Sequence, residues 1–319
     1  MWRSDSRTRE NAKATSKNQM YHNPVLLEEC LDGLDIQPEG VYVDVTFGGG
    51  GHSKAILARL GEKGRLFAFD QDPDARANAE AINDKRLTFV DANFRYLQKY
   101  LRLHGVKQVD GILGDLGVSS HQFDTPERGF STRFEASLDM RMNPRTGTAA
   151  RDVLETYSIE QLHRILGMYG ELQNAKTAAQ AIVAARANRP IDTVSDLKAA
   201  LQRYAPRGKE NKYFAQVFQA LRIEVNDEMG ALQEFLTQSA DVLRSQGRLV
   251  VMSYHSLEDR LVKNFIAKGK FFGEVEKDFF GNDLKPLQSI TRKPIEATPE
   301  EVAQNSRARS AKLRVAEKL

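Results

Sequence analysis

The sequence predicts an α/β fold: a mostly parallel, doubly wound sheet with an all-helical insertion. Three observations predict it. Short β-like runs alternate with helical stretches through roughly the first third of the chain, which is the rhythm of βαβ units. Strand character disappears from about Thr125 to Asn211 while helical periodicity continues, and it resumes at residues 247–256. Four consecutive glycines, at 48–51, stand where the first strand yields to the first helix, and that turn receives nucleotides in such sheets.

The elements follow in order. Residues 40–47 (GVYVDVTF) read as a strand and 52–60 as a helix closed by Gly61. Strand 65–72 precedes a helix that Pro73 opens at its first position, and strand 86–94 precedes a helix over 94–105. Strand 109–117 is the fourth. Helices at 159–170, 174–188 and 193–205 fill the insertion, and a long helix over 214–244 leads back to the fifth strand. Near the end, residues 284–295 and 311–318 read as strands flanking a short helix that Thr298-Pro299-Glu300-Glu301 starts as a capping box. These two strands would complete the sheet. The expected organisation is a basic tail at 1–20, core at 21–124, helical insertion at 125–211 and core again at 212–319.

Composition bounds the rest. With 319 residues and 41% hydrophobic content there is ample material for a large core, and no apolar run approaches the length of a membrane span. The single cysteine, Cys30, permits neither an intramolecular disulfide nor a cysteine-based zinc cluster. It reads as a core residue in a cytoplasmic protein, and no metal site is expected. The net charge of +3 lies entirely in residues 1–20, which carry five Lys/Arg against two Asp/Glu. Nucleic-acid contacts must therefore come from that tail and from local basic surface.

The chemistry gathers at strand ends. Bare backbone at the glycine turn lets a ligand approach the N–H groups of a helix start. Asp70 ends the second strand 22 residues after Gly48, the place of a carboxylate that accepts ribose hydroxyls. Asp44 and His52 beside the turn suit the zwitterionic tail of S-adenosylmethionine (AdoMet) better than the pyrophosphate of a dinucleotide. Asp115 ends the fourth strand, and Gln122 follows it as an amide able to meet cofactor or base. Asp91, at the end of the third strand, is the carboxylate that position alone would assign to the adenine amine.

The segments HNPVLLEEC, VDVTFGGGGHS, FAFDQDP, GILGDLGVSSHQFD, ERGFS, LDMRM, FQALRIEVN, SYHSLEDRLVK and NSRARSAKLRVAE together resemble the ribosomal small-subunit RNA methyltransferase H family, the MraW-type enzymes. The likeness runs from residue 21 to 319, with departures at Gly114, His121, Ala136-Ser137 and Ser306 that remove no polar contact. It implies a Rossmann-like class I methyltransferase that uses AdoMet to methylate N4 of a cytidine in the decoding region of 16S ribosomal RNA, with the small ribosomal subunit as partner. It places cofactor contacts on Gly50, Gly51, His52, Asp70, Phe94, Asp115 and Gln122.

Cytosine's exocyclic amine is a poor nucleophile, so Asp115 is the expected catalytic acceptor for its N–H. A stacked base cannot reach the methyl group, so the cytidine is expected to be flipped out. Tyr254 is then the candidate to stack on the base and His255 to hydrogen-bond it. Arg203, Arg207, Lys209 and Lys212 form a basic loop suited to RNA phosphates. Two other classes compete: an NAD(P)-dependent oxidoreductase on the same fold, and a non-catalytic RNA-binding assembly factor.

Overall fold

The structure, a computed structural model, describes residues 24–319; the tail expected at 1–20 lies outside them. Seven strands form one sheet in the order β3-β2-β1-β4-β5-β7-β6. The strands are β1 (Val41–Asp44), β2 (Arg65–Asp70), β3 (Leu87–Asp91), β4 (Val109–Asp115), β5 (Leu243–Ser253), β6 (Leu287–Ser289) and β7 (Lys312–Lys318). The first five run parallel, and β7 is antiparallel to both β5 and β6. The carboxyl ends of β1 to β5 therefore share one edge. The order reverses between β1 and β4, and the crevice there is where such sheets hold ligands.

Helices α1 (Leu27–Leu34) and α2 (Gly51–Arg59) cover one face. Their Cys30, Leu31, Leu34, Ile56 and Leu57 pack on Tyr42, Leu66, Leu113, Val250 and Met252. The other face, through Val43, Phe67, Ile112 and Val251, buries Phe235 and Leu236 of α11 (Glu228–Val242) and Val262 and Phe265 of α12 (Ser256–Lys268). Successive strand residues thus enter opposite apolar layers, which explains why these strands read as near-continuous hydrophobic runs. Cys30 is fully buried, and burial pushes its thiol well above the ordinary range. It is the core residue expected. Helices α3 (Ala75–Ile82) and α4 (Leu97–Leu103) complete the crossovers.

A second apolar core is built from the helices between β4 and β5. It joins α6 (Ala150–Thr156), α7 (Ile159–Met168), α8 (Ala175–Arg186), α9 (Val194–Leu201) and α10 (Glu210–Asn226) through Leu154, Ile165, Ile182, Leu197 and Phe218. Its members run from Phe130 to Leu221, so the buried face of α10 belongs to it beyond the expected boundary at 211. The helix expected at 214–244 is in fact two. Asp227 takes a left-handed φ of 46°, ending α10 and starting α11, and its carboxylate meets the Arg95 guanidinium at 2.8 Å. β1 is shorter than expected because the Thr46 N–H turns back to the Asp44 carboxylate at 3.0 Å.

β1 and β4 approach closely because Gly111 sits opposite Tyr42. A Cβ on Gly111 would lie 2.8 Å from the Tyr42 ring, whose hydroxyl is fixed by the Gln37 N–H at 2.7 Å. The ring cannot retreat. Gly111→Ala is therefore expected to lower stability by about 1–3 kcal/mol, read as a drop in the urea midpoint at unchanged slope.

Candidate active site

The four glycines have separable tasks. Gly48 and Gly50 adopt φ of 51° and 77°, which a Cβ disfavours. A Cβ on Gly50 would also lie 2.8 Å from the Phe47 ring, and one on Gly51 would fall 2.5 Å from Pro24, which lies across the start of α2. Gly50 caps α2 without a side chain, leaving first-turn N–H groups unclaimed by any side-chain cap. Asp70 holds this turn in place. Its Oδ2 accepts the Gly48 N–H at 2.7 Å and its Oδ1 accepts the Asp72 N–H at 2.8 Å. The spacing read from sequence is thus a direct bond between the glycine turn and β2.

Asp44 is buried, with Ser53 Oγ donating to it at 2.7 Å; burial raises its carboxyl. His52 is buried in the next helical turn. Its Nε2 donates to the Val25 carbonyl at 3.2 Å, and its Nδ1 faces Asp115 Oδ2 at 3.9 Å. Tyr254, just past β5, donates its phenol to Asp115 Oδ1 at 2.7 Å. The structure therefore brings His52, Asp115 and Tyr254 together from three strand ends. Burial pushes Asp115 up to about 6 against the pull of His52 and Tyr254, and Asp70 likewise to about 6.

The other expected residues are placed differently. Gln122 lies in α5 (Ser120–Asp124), where its Oε1 accepts the Ser119 N–H in a capping box and its Nε2 donates to Asp72 Oδ2 at 2.7 Å. Both ends of the amide are tied to protein. Arg128 adds a 2.9 Å ion pair to the same carboxylate and donates to the Met142 carbonyl. Asp72 and Arg128 were missed by sequence reasoning; the ERGFS segment was the available signal. Phe94 packs edge-on to Phe235 with centroids 5.4 Å apart. Asp91 is claimed by Arg76 at 2.9 Å and Arg145 at 3.1 Å, which hold its carboxyl low despite burial.

His255 is turned away from Asp115. Its Nδ1 accepts the Glu258 N–H as the N-cap of α12, and its Nε2 lies 3.3 Å from Glu258 Oε1 without an aligned hydrogen bond. Glu258 Oε2 in turn accepts the Tyr254 N–H at 2.9 Å. Glu228, His255 and Glu258 approach within 4.8 Å of one another, a spacing a metal could use. Arg222, however, already grips both oxygens of Glu228, at 2.8 and 2.9 Å, so a guanidinium supplies the cation there. Arg203, Arg207, Lys209 and Lys212 are all exposed near the start of α10. A helix of 17 residues spans about 25 Å, and it is the other end of α10 that reaches Glu228.

A mostly parallel sheet with this strand order and an antiparallel β7, a bare glycine turn braced by an acid on β2 and a carboxylate at the end of β4 define a Rossmann-like class I methyltransferase. The sequence matches the MraW methylase family over residues 19–319, and the chain belongs to that family. The protein called ribosomal RNA small subunit methyltransferase H in Cytophaga hutchinsonii is 60% identical over 299 residues, covering 94% of this chain and all of that one. Its namesake in Flavobacterium johnsoniae is 58% identical, covering 94% and 98%. That in Parabacteroides distasonis is 54% identical, covering 95% and 99%. The chain is thus a methyltransferase that uses AdoMet, and the oxidoreductase and non-catalytic alternatives fall.

Asp70 and Asp115 set a pH dependence. Each titrates at about 6 in the folded protein against an ordinary 3.8. Between those values the folded state binds more protons than the unfolded state, so their contribution to stability falls as pH rises from about 4 to about 6. In Asp70→Asn the share due to Asp70 disappears, and the stability gap between variant and wild type should shift in favour of the variant across that window, as measured by urea denaturation at each pH.

Proposed function

We propose that this enzyme methylates N4 of a cytidine in the decoding region of small-subunit ribosomal RNA, with Asp115 as the residue that receives the amine. The observation that carries this reading is the Asp115 carboxylate, held by Tyr254 on one oxygen and facing His52 with the other, at the edge where the glycine turn opens. The names of the relatives support the substrate.

The residues fit AdoMet. The turn is bare at Gly48, where an added Cβ would find no atom nearer than 4.0 Å. Asp70 stands beside it to accept ribose hydroxyls, and the first-turn N–H groups of α2, from Gly51 and His52 onward, are suited to a carboxylate. Phe94 offers an aromatic face to the adenine. AdoMet, when bound, supplies an electrophilic methyl group on a positively charged sulfur.

Asp115 is ionised at neutral pH, since its carboxyl titrates at about 6. Oδ1 is occupied by the phenol of Tyr254, which leaves Oδ2 to accept an N–H of the cytosine amine. Orienting the amine lone pair this way is the main gain, since alignment can be worth several of the roughly 7–11 kcal/mol recoverable from a bimolecular encounter. The carboxylate would also stabilise the positive charge that gathers on the amine nitrogen as it takes the methyl group. The proton then leaves N4 to Oδ2. Tyr254 fixes the carboxylate rather than stacking on the base, and Glu258 fixes Tyr254 through its N–H.

The helices of the second core are the candidate RNA-recognition domain, with Arg203, Arg207, Lys209 and Lys212 as outlying phosphate contacts. The chain holds no helix long and apolar enough to cross a membrane among the described residues, in keeping with action on ribosomal subunits in the cytoplasm.

Asp115→Asn should still bind AdoMet while its rate of methyl transfer to small subunits, measured at saturating AdoMet, falls about 10²-fold. Wild-type kcat should rise through pH about 6 to a plateau as the carboxylate ionises, and this limb should vanish in the variant. Normal transfer by Asp115→Asn in a labelled-methyl assay would remove the carboxylate from the mechanism. Tyr254→Phe should lose roughly tenfold in kcat, the worth of one charged hydrogen bond, with AdoMet affinity intact.

A further inference from the structure

Three segments meet at Asp124, beyond the carboxyl end of β4. Arg307 donates to Asp124 Oδ2 at 2.9 Å, and Arg133 approaches Oδ1 at 3.4 Å. Arg307 lies in the short 3₁₀ turn Ser306–Ser310 that feeds β7, whose first residue Lys312 pairs with Ser253 at the end of β5. α5 follows Asp115 by a few residues, and Arg133 follows Phe130, a member of the helical core. The cluster therefore sits on the carboxyl edge that carries Asp115 and Tyr254, where the helical region joins it.

Its charges do not balance. One carboxylate serves two guanidinium groups, and Nη1 of Arg307 is buried without an acceptor. A buried donor left unmet is costly, and a surplus cation at a cleft mouth attracts an anion. Arg133 is 66% exposed and Asp124 48% exposed, so both can be reached from solvent. The guanidiniums also lie against Phe134 and Phe123 respectively, at 5.5 and 5.9 Å, which limits the rotamer freedom each would lose on binding. The same two-to-one ratio recurs at Asp91 with Arg76 and Arg145, at the end of β3 on this edge. At these two carboxylates, on an edge otherwise rich in acidic side chains, arginines locally outnumber their partners.

We propose that Arg133 and Arg307, spaced by Asp124, form a clamp for RNA phosphodiesters at the mouth of the methyl-transfer site, holding the strand beside the target nucleotide. The proposal rests on the RNA-methylating reading above and assigns it a substrate subsite. Arginine suits the task because its planar fork meets two phosphate oxygens at once. Asp124 keeps the two forks apart and oriented until phosphate arrives.

The test uses the full chain, undermethylated small subunits and a single-stranded fragment of the decoding-region RNA. Arg133→Gln and Arg307→Gln should each raise KM for subunits roughly fivefold. kcat and AdoMet affinity should stay unchanged. Each should also lower the slope of log affinity for the fragment against log salt by about 0.7. Asp124→Asn, which releases both arginines, should bind the fragment at least as tightly as wild type. Unchanged KM and salt slope in both arginine variants would overturn the clamp. So would loss of kcat or AdoMet affinity shared by the arginine variants and Asp124→Asn, because the cluster would then only brace the fold. Wild-type protein that transfers no methyl group to subunits would instead remove the substrate reading, while the salt slope on the bare fragment would still decide the clamp.

Discussion

Several acidic side chains converge on one edge of the sheet, and the cost of keeping buried carboxylates away from water shapes what surrounds them. Asp44, Asp70, Asp115 and Glu258 each hold fixed donors: Ser53 and Thr46, the Gly48 and Asp72 amides, the Tyr254 phenol, and the Tyr254 and His255 amides. These donors lie in the loops that follow β1, β2 and β5 and in the first turn of α2. Satisfying the carboxylates therefore also fixes the loops. The polar crevice is preorganised because its charged groups are bound to backbone amides and fixed side-chain hydroxyls rather than left to water.

That arrangement also explains the contrast among the acids. Among the described residues no arginine pairs with Asp70 or Asp115, so burial dominates and both rise to about 6. Glu258 is as deeply placed, yet His255 and Arg222 outweigh burial and hold it low. A carboxylate near 6 can take and release a proton at neutral pH. One held low is an electrostatic anchor. The two roles are separated by the presence or absence of cations.

The helical region is tied to this edge by polar bonds. Arg128 reaches from the segment after α5 to Asp72, and Asn226 at the end of α10 holds the continuation of that segment by donating to the Met140 carbonyl and accepting the Met142 N–H. Arg222 of α10 contacts Glu228 and lies in the field of Glu258, which accepts the Tyr254 N–H. A buried ion pair is a weak source of stability, because desolvation offsets the attraction. Its value here is in fixing register between the helices and the loop that carries Tyr254.

Local chemistry in the sequence determined the strands, the glycine turn, the acid one strand further on and the acid at the end of β4. Each depends on period, backbone freedom or position relative to a strand end, and all three are properties of neighbouring residues. Only tertiary structure decided which polar partners those groups would take. Gln122 and Asp91 look equally available in the sequence, yet one is spent on Asp72 and a helix cap and the other on two arginines. His255 became the cap of its own helix, and Asp227 broke a periodicity that predicts one continuous helix. The helix caps are local competitions among neighbours, but the remaining choices depend on side chains brought together from distant parts of the chain, as with Asp91 and Arg145 at a separation of 54 or Asp115 and Tyr254 at 139, and no local pattern records those.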